Sequence, residues 1–273
     1  MLSEAEFALV AREVKNRSGA ALKPDMSALI ENRLHPLSRR EGYNSVPEMI
    51  AAARIRPDGA LWNAIAEALA QPETRFFRDR AQFARLREHI IPEALARRGH
   101  ERARIWCAGC STGQEAYSLA MIVEDMRAEG ANPAIEIIAT DFAERALDKA
   151  RSGLFTQFEV QRGLPIRTLI AHFERAGDLW RISDRLRAGV RFERHNLLQH
   201  PGGLGQFDII LLAHVLPTFD HETRLAVLNR IADALRPDGV LILGDGETLP
   251  EGCERLTSEH GLVRHRGAAR VAA

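Results

Sequence analysis

Apolar positions recur at helical spacing through residues 1 to about 70. Phe7, Val10 and Val14 mark one face, and Met26, Leu29, Ile30, Leu34 and Leu37 mark a second before Gly42 stops the run. A third helical segment follows Pro47 and a fourth follows Pro57-Asp58-Gly59, so this part predicts a small helical domain. A connecting stretch, Gln71 to Asp79, contains the adjacent aromatics Phe76 and Phe77 flanked by arginines. A helix then carries Phe83, Leu86 and Ile90 and runs on past Pro92. From residue 103 the period changes. Short apolar runs at 103–108, 135–140, 190–195, 207–213 and 239–243 read as strands, and the segments 113–127, 143–151 and 222–235 read as helices. Such alternation predicts an α/β fold, a parallel sheet with helices on both faces. Residues 152–188 interrupt it with a short helix at 165–173 and two antiparallel strands around Leu179–Ile182 and Val190.

Composition narrows the function classes. Of 273 residues 45% are hydrophobic and 27% charged, and Lys plus Arg equal Asp plus Glu at 37 each. That balance offers no global charge for nucleic acid or a membrane surface, so any partner must be read from local charge. On the second helix Arg33 and Arg40 lie seven apart and share a face, either as a solvated surface or as a dock for an acidic partner. Three cysteines, no apolar run near the roughly 20 residues of a membrane span, and an amphipathic start with Glu4, Glu6 and Glu13 predict a reduced chain without membrane insertion and a cytoplasmic address.

The candidate chemistry centres on Ile105-Trp106-Cys107-Ala108-Gly109-Cys110-Ser111-Thr112-Gly113-Gln114-Glu115, a strand, a tight loop and a helix start. Gly109 lets the backbone approach a ligand closely, and the helix that follows offers unpaired N–H groups. The loop lacks the dinucleotide spacing and the P-loop lysine, which disfavours NAD and ATP. Asp141 closes the second strand, where a carboxylate can accept from ribose hydroxyls; it could equally cap the helix beginning near Ala143. A nucleoside-type ligand without a required pyrophosphate, such as S-adenosylmethionine, fits both features. Cys107 and Cys110 read as small residues filling a turn rather than a redox pair. The scattered histidines predict no metal, and no G-x-S-x-G elbow is present.

These residues together resemble the chemotaxis receptor methyltransferases of the CheR type. The resemblance runs from about Gly19 to Leu249. It is carried by Gly19-Ala20-Ala21-Leu22-Lys23-Pro24-Asp25 with Arg33-Leu34; by Glu73-Thr74 with Phe76-Phe77-Arg78-Asp79; by Trp106 through Met121; by Ala139-Thr140-Asp141; by Phe158 through Pro165; and by Asn196-Leu197-Leu198. The resemblance implies a Rossmann-like methyltransferase sheet with a small N-terminal helical domain (1–72) and a cofactor domain (73–273) that holds a small inserted β-subdomain (152–188). It implies S-adenosyl-L-methionine as cofactor, held by Thr74, Arg78, Glu115, Asp141, Asn196, Leu197, Ala213 and His214, beside the close-approach Gly109 read from the loop itself. It also implies O-methylation of glutamate side chains on the cytoplasmic helices of chemoreceptors. The sequence departs from the family pattern after the fourth strand: Ala213, His214, Pro217 and Thr218 stand where Arg, Asn, Ile and Tyr are usual, and Gly244-Asp245-Gly246-Glu247 replaces G-H-S-E. The cofactor shell is thus expected to be kept and the acceptor side rebuilt, with slow or absent methylation of standard receptors. A cofactor-binding signalling module, or transfer to another acceptor, is the alternative.

Overall fold

The computed structural model describes residues 2–56, 59–69 and 74–267. Four helices come first: α1 (Glu4–Ser18), α2 (Ser27–Arg40), α3 (Val46–Ile55) and α4 (Ala60–Leu69). Local chemistry sets their ends. Ser3 and Glu6 form a reciprocal capping box at the start of α1, and Gly19 ends it in the left-handed conformation at φ 79°. Ser45 caps α3, with Pro47 in its first turn. The predicted apolar faces meet in one cluster built from Val10, Val14, Ile30, Leu34, Met49, Ile50, Trp62 and Ile65. The expected boundary at 72/73 and the Pro57-Asp58 turn lie outside the described residues.

A long helical run follows as α5 (Arg80–Arg85), a π-turn (Leu86–Ile90) and α6 (Ile91–Arg98); Pro92 falls in the first turn of α6, where a missing N–H costs little. Then come β1 (Ala103–Ala108), α7 (Gln114–Ala128), β2 (Ile135–Asp141) and α8 (Glu144–Ser152). The excursion holds β3 (Leu154–Thr156), α9 (Gln157–Gln161), α10 (Ile166–His172), β4 (Phe173–Ala176), β5 (Leu179–Ile182) and α11 (Asp184–Ala188). The chain returns as β6 (Val190–Arg194), β7 (Phe207–Leu212), α12 (His221–Ala234), β8 (Leu235–Leu243), β9 (Leu256–Glu259) and β10 (Leu262–His265). The main sheet has the order β6-β2-β1-β7-β8-β10-β9, parallel from β6 to β8 and antiparallel beyond.

Alternation along the strands sends side chains to two cores. Ile105, Cys107, Ile137, Ile209 and Leu211 pack with Tyr117, Leu119, Phe83 and Leu86 on one face, while Trp106, Ile138, Ile210 and Leu212 pack with Val227, Leu228 and Ile231 on the other. From β1 the chain steps outward to β2 and β6, then returns to β7 on the other side of β1. The strand order therefore reverses between β1 and β7, which opens a crevice at their carboxyl ends.

Two expectations need correction. β5 pairs with β4 and β3, not with Val190, which joins β2 at the edge of the main sheet. Only Gly177 and Asp178 separate β4 from β5, and Gly177 at φ 63° allows that tight return, so Phe173 starts a strand rather than ending the helix before it. The last parallel strand also begins at Leu235 rather than Gly239. Leu235 pairs with Phe207 and Val240 with Ile209, so residues 236–239, with Pro237 among them, fit as an irregularity opposite Asp208.

Asp208 is fully buried, and its carboxylate ties together the amino-terminal ends of β1 and β7, at the end of the sheet opposite the crevice. It pairs with Nε of Arg98 and accepts from the backbone of Arg104 at 2.8 Å, while Arg98 also reaches both oxygens of Asp238 at 2.7 Å. Removing one partner of a buried pair strands the other. Asp208→Ala is expected to lower stability by about 3 kcal/mol in urea titration, and an unchanged midpoint would contradict this role.

Candidate cofactor site and the adjoining cleft

The carboxyl end of β2 organises the crevice. The Thr140 carbonyl accepts from Gly109 N at 2.8 Å and from Cys110 N at 2.9 Å, and its hydroxyl accepts from Trp106 Nε1 at 3.0 Å. Asp141 accepts from Ser111 N at 2.8 Å through one oxygen and from Ala143 N at 2.9 Å through the other. It thus stitches the loop after β1 to the loop after β2, and it does not act as the side-chain cap of α8. Gly109 sits at φ 75°, where a Cβ would lie 2.7 Å from Val215 Cγ2, so a side chain is excluded on both conformational and steric grounds. Burial raises the Asp141 carboxyl above its ordinary value while the amides pull the other way. Its remaining lone pairs can still take ribose hydroxyls.

A cavity of about 50 Å³ opens at this point, lined by Gly109, Asp141, His195, Asn196, Leu197 and Thr218, among others. The end of α1 covers it. Asn196 Nδ2 donates to the Arg17 carbonyl at 2.6 Å, Ala21 N donates to the Thr218 carbonyl at 2.8 Å, and Lys15 pairs with Asp220 at 2.5 Å. The Asn196 side-chain oxygen accepts from Leu198 N, so that side chain is engaged at both ends. His195 was not singled out by its sequence context, yet its Nε2 is buried with no hydrogen-bond partner, and burial lowers its pKa.

On the other side of the crevice the segment after Thr74 folds over the start of α7. Phe76 is fully buried, edge-on to Phe155 at 5.0 Å and to Phe173 at 5.6 Å, and its carbonyl lies where a Cβ on Gly163 would be, at 1.9 Å. Phe77 N donates to Ser118 Oγ at 2.9 Å, and Phe77 itself is held at φ 46°. The aromatic pair therefore anchors the connecting segment to the inserted subdomain and to α7, and this places Arg78 near Glu115. Glu115 is almost wholly buried in the first turn of α7. Burial pushes its carboxyl up to about 8, with Arg78 opposing and Asp79 and Glu247 reinforcing the shift. Thr74 Oγ1 is buried without a partner.

After β7, Ala213 is buried and His214 adopts φ 60°. The His214 ring turns to Asp79, Nε2 to Oδ2 at 2.9 Å, and its backbone N–H donates to Glu247 Oε2 at 2.8 Å; Asp245 N also donates to Asp79 Oδ2 at 2.9 Å. These bonds knot the connecting segment to the ends of β7 and β8. Thr218 turns its hydroxyl to the Val215 carbonyl at 2.6 Å. Beside the knot lies an open cleft of about 700 Å³ whose lining includes Arg75, Arg78, Arg80, Arg85 and Arg162. The nine predicted residues thus divide. Gly109, Asp141, Asn196 and Leu197 border the small cavity, Arg78 lies near enough to Glu115 to act on its charge, Thr74 has its hydroxyl buried in the segment leading to Arg78, and Ala213 and His214 follow the end of β7.

Burial pushes the thiols of Cys107 and Cys110 well above the ordinary range, which leaves them inert as nucleophiles. Among the described residues no group of three His, Cys, Asp or Glu side chains is placed to hold a metal ion, and no helix is long and apolar enough to cross a membrane.

A close-approach glycine, a buried carboxylate at the strand end and two orphaned buried polar atoms, Thr74 Oγ1 and His195 Nε2, suit a nucleoside ligand with hydrogen-bonding groups of its own. The fold and the crevice define the class: a Rossmann-like methyltransferase that uses S-adenosyl-L-methionine. Residues 72–262 match the family described as CheR methyltransferase, SAM binding domain. Similar proteins include chemotaxis protein methyltransferase 1 of Pseudomonas aeruginosa, 31% identical over 96% of this chain and 97% of that one. Chemotaxis protein methyltransferase Cher2 of Pseudomonas putida is 31% identical over 90% and 92%, and the chemotaxis protein methyltransferase of Vibrio anguillarum is 33% identical over 96% and 94%. The chain belongs to the CheR methyltransferase family.

Two outcomes follow from this geometry. Asp141→Ala is expected to weaken S-adenosylmethionine binding about 100-fold in calorimetry, because it removes both a ligand acceptor and the clamp on the Gly109–Gly113 loop; unchanged affinity in a folded variant would refute the assignment. Glu115 gives a pH signature. Its folded-state pKa of about 8 lies above the ordinary 4.5, so its contribution to stability is whole below about pH 4.5 and is lost as pH rises through 8. The ligand-free protein should lose up to about 1.4 kcal/mol per pH unit across that window, and Glu115→Gln should flatten the slope in denaturation midpoints measured from pH 5 to 9.

Proposed function

We propose that the protein transfers the methyl group of S-adenosylmethionine to glutamate side chains on chemoreceptor-like helices. The observation that carries this reading is the pairing, at the carboxyl ends of the strands, of a crevice floored by Gly109 and the buried Asp141 with an open cleft of about 700 Å³ at Asp79, wide enough to admit a polypeptide surface. The bound cofactor supplies an electrophilic methyl carbon on a sulfonium. Arg78 suits its carboxylate as a bidentate partner, and Glu115, in its ionised form, suits its ammonium. Asp141 takes the ribose, while Thr74, Asn196, Leu197 and the Ala213–His214 corner close around the rest.

A glutamate acceptor has a reference pKa near 4.3 and is already ionised at neutral pH, so no general base is required. The protein's task is to aim one carboxylate oxygen at the methyl carbon opposite the sulfur and to exclude water. The new O–C bond forms as the C–S bond breaks, and the bonding pair leaves with the sulfur. The His214 ring, held by Asp79, fits this scheme because it acts on the position of the Asp79 segment rather than on a proton of the acceptor. Docking falls to the helical part. Arg33 and Arg40 line one depression with Arg145 and Glu67; Arg40 also pairs with Glu41 at 2.9 Å, and the cations on this face suit an acidic helix.

A second reading, a cofactor-binding module with weak transfer, draws on the corner after β7, where Thr218 bonds the Val215 carbonyl and His214 is committed to Asp79. One experiment separates the two. Incubation with methyl-labelled cofactor and receptor-bearing membranes is expected to leave base-labile label on the receptor, and Arg33→Glu with Arg40→Glu should lower the rate about tenfold at low salt without altering cofactor affinity. Tight cofactor binding with no label on any receptor would favour the second reading.

A further inference from the structure

We propose that His214 is a positioning residue for the cofactor: its ring and the Asp79 carboxylate form a clasp that pre-sets the segment carrying Thr74 and Arg78 and so governs how long cofactor and product stay bound. The inference rests on the placement of Thr74 and Arg78 against the cofactor proposed above, and it adds what keeps them there. The segment from Thr74 to Asp79 is fastened at three places. Phe76 is wedged between Phe155 and Phe173, Phe77 N donates to Ser118 Oγ at 2.9 Å, and Asp79 Oδ2 meets both His214 Nε2 and the Asp245 amide at 2.9 Å. The first two precede Arg78 and tie the segment to the inserted subdomain and to α7. The third follows Arg78 and reaches the ends of β7 and β8. Arg78 is thus strung between a buried aromatic anchor and a polar clasp.

The corner after β7 is built around that ring. His214 holds the left-handed conformation at φ 60°, uncommon for a residue with a side chain, and its backbone N–H donates to Glu247 Oε2 at 2.8 Å. The same oxygen accepts from Gly244 N at 2.5 Å, so the ends of β7 and β8 share one acceptor. Gly244 leaves the ring its room: a Cβ there would lie 2.7 Å from His214 Cε1 and 2.8 Å from Nδ1. The His214 and Asp79 side chains are only 18% and 12% exposed, so water competes poorly for the bond between them. Asn, the residue usual at this place in the family, ends one bond short of the imidazole Nε2 and would not span the same gap on this backbone.

Asp79 Oδ2 already accepts from the Asp245 amide, and His214 Nε2 completes the bond as a second donor. A ring nitrogen committed in this way is not available to the cofactor, so its influence passes through the segment. A segment set in place beforehand need not be ordered when the cofactor binds, and such preorganisation strengthens binding chiefly by slowing dissociation. Loss of the methyl group from the sulfur alters neither end of the clasp. S-adenosylhomocysteine is therefore held by it as well, and the same bond that retains the cofactor delays release of the product.

The test times the dissociation of S-adenosylhomocysteine from the immobilised full chain by surface plasmon resonance. His214→Ala is expected to speed dissociation about tenfold with little change in association, and Asp79→Ala to do the same. The Asp79 side chain makes no capping bond to α5, so its loss spares that helix. The double variant should dissociate no faster than either single one, whereas two independent contacts would multiply to about a hundredfold. His214→Gln, whose amide nitrogen lies as many bonds from Cα as Nε2, should recover part of the loss. Gly244→Ala, which alters neither partner but displaces the ring, should also speed dissociation, and paired with Asp79→Ala it supplies the same comparison if His214→Ala does not fold. Unchanged dissociation in a folded His214→Ala, or effects that multiply in the double variant, would overturn the clasp. An effect of His214→Ala with none from Asp79→Ala would make His214 a direct cofactor contact and overturn it equally. Arg78→Ala separates the two readings. If it abolishes binding while the clasp variants change nothing, the placement of Arg78 stands and the clasp fails; if it changes nothing while they speed dissociation, the clasp stands and that placement fails.

Discussion

The pocket depends on two consecutive residues at the end of β2. The carbonyl of Thr140 and the carboxylate of Asp141 together accept from four backbone amides, those of Gly109, Cys110, Ser111 and Ala143. Loop amides at the ends of parallel strands have no ladder partner, and burying them unpaired costs about 1–3 kcal/mol each. Taking them up on one strand end closes the loop after β1 against the loop after β2. The turn can then run through Ser111 at φ 49° and Gly113 at φ 89° into α7, and Gly109 is pressed against Val215 beneath. The crevice at the reversal of strand order thereby becomes a pocket with a floor of backbone and one buried acid.

A second set of contacts decides how that pocket is closed. Phe76 wedges between Phe155 and Phe173 from the inserted subdomain, and the Asp79–His214–Glu247 knot ties the same segment to the ends of β7 and β8. From the opposite side, the end of α1 reaches Asn196 and Asp220, and Ala21 just after it reaches Thr218. Helical part, inserted subdomain and sheet thus all border the crevice, and residues that differ from the family pattern fall in both closures, His214 and Asp245 in the knot and Thr218 against Ala21. His214 illustrates the point: the side chain standing where Asn is usual makes a bond to Asp79 that links the closing segment to β7.

Much of this was legible before any coordinates. The change from helical period to alternating apolar runs located the five parallel strands to within a few residues, because burial on both faces leaves strong patterns. The small residues of the 109–113 loop and the acid at 141 were legible for a similar reason: a backbone that must approach a ligand tolerates few side chains. The strand at Phe173–Ala176 was missed, since its four residues carry little periodicity of their own and Phe173 reads as the end of the helix before it. Ser118 and Glu247 lay inside motifs of the resemblance without a role of their own, because their bonds to Phe77 and His214 join segments far apart in the chain, and the burial of His195 likewise comes from its surroundings.

The sequence by itself determined the elements, their order, the loop chemistry and the resemblance to one methyltransferase family, since these depend on local spacing and on side-chain type. Only the tertiary structure decided that Asp141 bonds two loops at once, that Glu115 is buried enough to hold a proton near neutral pH, and that arginines 75 to 162 share one cleft. Burial, desolvation and charge density are properties of what surrounds a group, and those surroundings come from segments that only folding brings together.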